Sequence, residues 1–118
     1  MVILKNPSRA NTTVSDKTVY NVSNYIYKNT TKHKALERVG HISIVNLMPH
    51  YLTDSSLLQT KKGALMDCKN FETINTLCRQ MTTVIIAWGN APKGLDQTYQ
   101  RMTSKVQTIL SAQNNRVY

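Results

Sequence analysis

The chain opens on Met1-Val2-Ile3-Leu4-Lys5-Asn6-Pro7-Ser8, an apolar run cut off by an Asn-Pro-Ser turn. Short runs of branched apolar side chains closed by a turn signal read as buried strands, because they fit a pleated surface covered on both faces. Two later stretches share the form. His41-Ile42-Ser43-Ile44-Val45-Asn46-Leu47-Met48-Pro49 and Thr83-Val84-Ile85-Ile86-Ala87-Trp88-Gly89-Asn90 each pass from branched apolar residues into a polar or glycine-bearing turn. They predict strands over about 42–46 and 82–87.

Between these runs the apolar period changes from that of a strand to that of a helix. Val19, Val22 and Ile26 predict a helix over 16–28, with Ser15 as its N-cap and Tyr20 and Tyr27 at the margins of its stripe. Ala35 to Val39 reads as one further turn ended by Gly40. Phe71, Ile74, Leu77, Cys78 and Met81 predict a second long helix over 67–81. Leu95, Tyr99, Met102, Val106, Ile109 and Leu110 predict a third over 95–112. Arg116-Val117-Tyr118 reads as the start of another strand. Strand and helix therefore alternate, as a right-handed βαβ series requires. The expected fold is α/β: one domain over 1–118, three-layered, with a mainly parallel sheet and helices on both faces.

The totals narrow the function. Hydrophobic residues make up 41% and charged residues 18% of the 118, which favours a globular chain over a disordered one. No apolar run approaches membrane-spanning length and no secretory pattern opens the chain, so a cytoplasmic protein with no membrane partner is expected. Cys68 and Cys78 are spaced neither as a zinc knuckle nor as a redox pair, and read as buried, reduced thiols. No metal and no cofactor is expected. Phosphate-loop, dinucleotide and nucleophile-elbow motifs are missing from the sequence. Six acidic residues supply a carboxylate dyad poorly. The net charge of +9 points to polyanionic partners, because each phosphate contact releases condensed counterions.

If the strands lie parallel, their carboxyl-end turns meet on one edge, where open α/β sheets bind ligands. Asn6 and Ser8 end the first strand, and an amide there can orient a water or read a base edge. Asn46 ends the second strand, with His50 in the loop beyond it as an acid or phosphate ligand. Trp88, Gly89 and Asn90 end the third strand, with Trp88 offering either a base-stacking face or simply a core side chain. Arg9 and Lys93 would flank this edge with positive charge. Asp16, with Thr18 beside it, reads either as a general base or as a partner of the helix dipole.

Asn6-Pro7-Ser8, Asp16-x-Thr18, Val45-Asn46-Leu47 with Pro49 beyond, and Ala87-Trp88-Gly89 stand in an order that resembles the bacterial and phage family called domain of unknown function 1643. The resemblance spans nearly the whole chain and supplies a fold more readily than a reaction. A more distant likeness is to the uracil-DNA glycosylase superfamily, whose mismatch-specific branch has an Asn-Pro turn after its first strand. It implies that Asn6 positions an attacking water, on a base flipped into a pocket. Ile86-Ala87-Trp88-Gly89 resembles the hydrophobic-Trp-Gly segment of some members. Arg9 departs from the small polar residue usual after Asn-Pro-Ser. The resembling family commonly ends in a Pro-x-His-Pro-Leu-like segment, whereas the sequence stops at Tyr118. The expectation is therefore a chain truncated at its carboxyl end.

The reading is a basic, glycosylase-like domain that binds nucleic acid or a nucleotide at the carboxyl edge of its sheet without complete catalytic machinery. Two alternatives stay open. One is hydrolysis of an N-glycosidic bond, with Asn6 orienting water and Asp16 or His50 assisting. The other is a protein-interaction module of a mobile element, docking through the apolar loop from Leu47 to Leu52.

Overall fold

Val2–Leu4 forms β1, and it is flanked by both of the other apolar runs: Ile44–Asn46 (β2) on one side and Thr83–Ala87 (β3) on the other. The structure is a computed structural model that describes residues 1–5, 17–48, 68–91 and 93–118. Arg116–Val117 (β4) adds outside β3, so the order is β2-β1-β3-β4 with every described pairing parallel. Three α-helices are seen among the described residues: α1 (Lys17–Asn29), α2 (Cys68–Gln80) and α3 (Asp96–Ser111). The α/β class and the parallel sheet are thus as the sequence predicts.

The element boundaries differ from expectation by small amounts. The ladder between β1 and β2 begins only where Ile44 faces Val2, so Ile42 and Ser43 lie outside the strand. The short turn expected over 35–39 is a 3-10 turn at Lys34–Leu36. It closes with bonds from Leu36 N to His33 O at 2.8 Å and from Glu37 N to Lys34 O at 3.3 Å.

The described residues fall within two compact units, Met1–Pro7 with Ile44–Tyr118, and Ser8–Ser43. The sheet, α2 and α3 belong to the first. Its core joins Ile3 and Val84 from the sheet to Phe71, Ile74 and Cys78 of α2 and to Tyr99, Met102, Val106 and Leu110 of α3. These helical positions recur every three or four residues, so each helix turns one stripe inward. Burying a large apolar side chain of this kind contributes about 1.5–3 kcal/mol, which is why the stripes and not helix propensity set the packing. The Lys105 ammonium lies 4.6 Å from the centre of the Phe71 ring, linking α3 to α2 at the rim of the core.

Strand alternation divides the sheet residues between its two faces. Ile3, Val45 and Ile86 stand level across β1, β2 and β3 on the core face. Val2, Ile44 and Ile85 form the next level on the opposite face, where Val2 is also buried. In the second unit, α1 buries Ile26 and the 3-10 turn buries Leu36.

The amino edge of the sheet is tied by main-chain bonds. The Met1 amino group donates to Thr83 O at 2.8 Å, and its burial lowers its pKa from the ordinary value. Cys78, a free thiol, is buried beside it, and burial pushes that thiol up. At the carboxyl end of α2, Asn115 Nδ2 donates to Cys78 O at 2.8 Å and to Met81 O at 2.5 Å. A side chain 34 residues beyond Met81 thus supplies donors that the helix end cannot find within itself.

Candidate functional site

The connections put the topological switch between β1 and β3. The chain leaves β1 for β2 on one side, then crosses back over β1 to reach β3 on the other. In open α/β sheets the crevice at such a switch, outside the carboxyl ends of the strands, is where ligands bind. Leu4 stands level with Asn46 of β2 and Ala87 of β3, so three strand ends meet there at one height.

The three strand ends leave this level differently. β1 and β2 stay together for two more main-chain bonds, from Leu47 N to Leu4 O and from Met48 N to Lys5 O, both at 2.8 Å. Leu47 and Met48 then bury completely in the core. Asn70, in the first turn of α2, reaches back with Nδ2 to Asn46 O at 3.0 Å and Leu47 O at 3.1 Å, and so locks α2 to the end of β2. β3 ends at Ala87, and Gly89 takes φ 65°, a left-handed conformation that a residue with a Cβ enters only under strain.

The Tyr99 hydroxyl, one helical turn into α3, contacts Gly89 O at 2.5 Å and Trp88 O at 3.0 Å. Its single proton is shared between these two acceptors. Burial pushes the Tyr99 hydroxyl up to about 12, so it remains a donor across the physiological range. Gly94 turns the same connection with φ 79° before Leu95 leads into α3.

Asn46 and Trp88 do not share a face. Asn46 is level with Leu4 and Ala87, on the side of the sheet away from α2 and α3. Trp88 follows Ile86 by two residues and packs, half-buried, against the core that those helices form. The two side chains therefore border the strand ends from opposite sides. Asn46 Oδ1 is buried and, among the described residues, accepts no hydrogen bond, an uncommon state for a buried carbonyl oxygen. Asn90 is exposed just beyond Gly89, and Lys93 is exposed in the connection to α3.

The structure thus brings Asn46, Trp88, Gly89 and Asn90 to the carboxyl edge. Thr18 lies in the first turn of α1, in the other unit. Asn6, Ser8, Arg9, Asp16 and His50 lie outside the described residues. Sequence reading passed over Asn70 and Tyr99 as site-forming side chains. Tyr99 was visible only as one more position of an apolar stripe, while Asn70 interrupts no pattern and gave no signal.

The positive charge near this edge includes Lys5, Lys69 in the first turn of α2, and Lys93. Asp96, in the first turn of α3, adds a negative charge among the described residues there. Among the described residues no group of three or more His, Cys, Asp or Glu could hold a metal ion. None of the described helices is long and apolar enough to cross a membrane.

The family model described as "Protein of unknown function (DUF1643)" matches residues 1–118, the whole of the chain. The chain belongs to this family. No curated protein and no solved structure matches it. The DUF1643 assignment accords with the motif order at Asn46 and at Ala87-Trp88-Gly89, two of the places where the sheet ends at the candidate edge.

Proposed function

We propose that this DUF1643 domain binds nucleic acid or a nucleotide at the carboxyl edge of its sheet, in the crevice between β1 and β3. The observation that carries the reading is the β2-β1-β3 order, which makes this edge a topological switch point. The acceptor of Asn46, unpartnered among the described residues, supports it, because a base N–H, the imide of uracil and thymine included, is a donor of the kind that oxygen lacks. The net charge of +9 supports a polyanionic ligand. In this reading the sheet is covered on both faces, as the buried Val2 opposite Ile3 favours, and the fold is of the glycosylase type.

Phosphate would be met by Lys93 and Arg9, and a base by Asn46, Asn90 and the rim of Trp88. Asn6 and Ser8, which follow β1 directly in the sequence, would complete the edge. Docking of a protein through Leu47 to Leu52 is less well supported, since Leu47 and Met48 are spent in the core.

The chain holds one tryptophan, so its fluorescence reports on this edge alone. Titration with uridine monophosphate and with an oligonucleotide is expected to change Trp88 emission, with oligonucleotide affinity falling as salt rises. Emission indifferent to both ligands, or affinity unaffected by ionic strength or by Arg9→Ala with Lys93→Ala, would sink the reading.

A further inference from the structure

The second unit carries a surface that the carboxyl-edge reading does not use. Helix α1 buries Ile26 and half-buries Val19 and Val22 along one stripe. With about 100° of rotation per residue, Lys17, Asn21, Asn24 and Lys28 fall opposite that stripe. Tyr20 and Tyr27, two turns apart, border this strip on one side, and Tyr25 borders it on the other. All three rings stand out into solvent, at 64%, 78% and 56% exposure. A tyrosine set to complete an apolar stripe would bury its ring, so the sequence expectation that Tyr20 and Tyr27 merely edge the stripe understates their exposure.

The charge beside these rings has one sign. Over residues 17–43 the cations are Lys17, Lys28, Lys32, Lys34 and Arg38, every one exposed, against the single carboxylate of Glu37. The last four fall within eleven residues of chain, running from the end of α1 through the 3-10 turn. Their backbone is fixed. Lys32 N and His33 N both donate to Asn29 O, at 3.1 and 3.0 Å, and Leu36 is buried as the anchor of the turn. The cations are therefore held on a framed segment that continues directly from the tyrosine-bearing helix.

Exposed aromatic faces interleaved with cations suit one ligand class above others. A single-stranded nucleic acid presents unpaired bases that stack on the rings and phosphates that pair with the lysines, whereas a duplex keeps its base faces covered. We infer that the outer face of α1 and the basic turn after it form a binding surface for single-stranded nucleic acid. The inference shares its ligand class with the carboxyl-edge reading but none of its residues. Tyr20 and Tyr27 stack bases, and Lys28, Lys32 and Lys34 track the backbone.

The test uses the full chain and a fluorescein-labelled oligothymidylate, followed by anisotropy, with a duplex of matched length as comparison. Tyr20→Ala and Tyr27→Ala are each expected to weaken single-strand binding about ten-fold, while Tyr27→Phe, which keeps the ring, binds like the parent. The triple change of Lys28, Lys32 and Lys34 to Gln should reduce the slope of log affinity against log salt by about 2. The tyrosines are exposed, so the alanine variants should keep the parent's thermal midpoint, and circular dichroism verifies that they fold.

Duplex bound as tightly as the single strand would overturn the inference. So would affinity unchanged in Tyr20→Ala with Tyr27→Ala, or a loss of self-association in that variant without loss of oligothymidylate binding. Asn46→Ala separates the two readings. Binding lost with the tyrosines but kept with Asn46→Ala leaves this surface standing and removes the carboxyl edge, and the opposite pattern does the reverse.

Discussion

The Tyr99 hydroxyl lies 2.5 Å from the carbonyl oxygen of Gly89, joining the first turns of α3 to the end of β3 at the residue where the backbone takes a left-handed step directly after Trp88. The bond fixes where Trp88 and Asn90 project, because they flank Gly89 on either side. The helix that packs the core also sets the shape of the strand-end turn.

Removing that hydroxyl should loosen the turn. Tyr99→Phe is expected to cost about 1–2 kcal/mol at neutral pH, since it leaves two carbonyls without their donor. The pH dependence follows from the raised pKa of about 12 against an ordinary value of 10.0. A group raised in the folded state contributes stability that is fully present below its unfolded value and is lost as pH climbs through its folded value. The stability gap between the parent and Tyr99→Phe should therefore narrow between pH 10 and 12. Urea unfolding across that range measures it, and a gap that widens would contradict the assignment.

Gly89→Ala isolates the backbone. A Cβ at Gly89 meets nothing within 4 Å, so the cost comes from φ 65° alone, about 1–2 kcal/mol. Gly40 is the control: a Cβ there also meets open space, and its φ is not positive. Gly40→Ala should be neutral or stabilising by up to about 1 kcal/mol, through the entropy of the unfolded chain. Thermal midpoints that fall equally in the two variants would show that φ at Gly89 is not what matters.

The helices and strands were legible in the sequence because each rests on a local period. The 3-residue and 4-residue steps of Phe71, Ile74 and Cys78 read as α2, and the branched run at Thr83 reads as β3. The strand order was not legible. Nothing local to Val2–Leu4 says that β1 sits between β2 and β3, and this placement turns three strand ends into a switch point. The phase of the strands decided more. Asn46 and Trp88 read alike as strand-end residues, yet alternation sends them to opposite faces, and only the register with Leu4 reveals which. Asn115 was invisible as a structural residue because its partners Cys78 and Met81 lie 37 and 34 residues away.

Asn115→Ala should consequently behave as the loss of a remote helix cap. Both bonds from Nδ2 end on the last carbonyls of the α2 segment, so the expected loss is about 1–2 kcal/mol. Amide hydrogen exchange is the sharper measurement, with protection falling in Leu77 to Met81 and in β4 together. Loss confined to β4 would mean that Asn115 orders the strand and leaves the helix unaffected.

Asn46 separates a structural amide from a ligand-binding one. Its Oδ1 is buried without a donor among the described residues, a state that costs folding free energy, on the order of 1–3 kcal/mol for a fully desolvated group. If the side chain is retained for a ligand, replacing it with an apolar residue of similar size should relieve that cost. Asn46→Leu is then expected to leave the thermal midpoint unchanged or raise it, while nucleotide-induced change in Trp88 emission weakens at least about ten-fold, the effect of losing one well-made bond to a base. The backbone carbonyl of Asn46 keeps its bond from Asn70 in this variant, so α2 stays docked to β2. A fall in stability of more than about 1 kcal/mol with binding intact would make Asn46 a structural residue and move the ligand elsewhere on the edge.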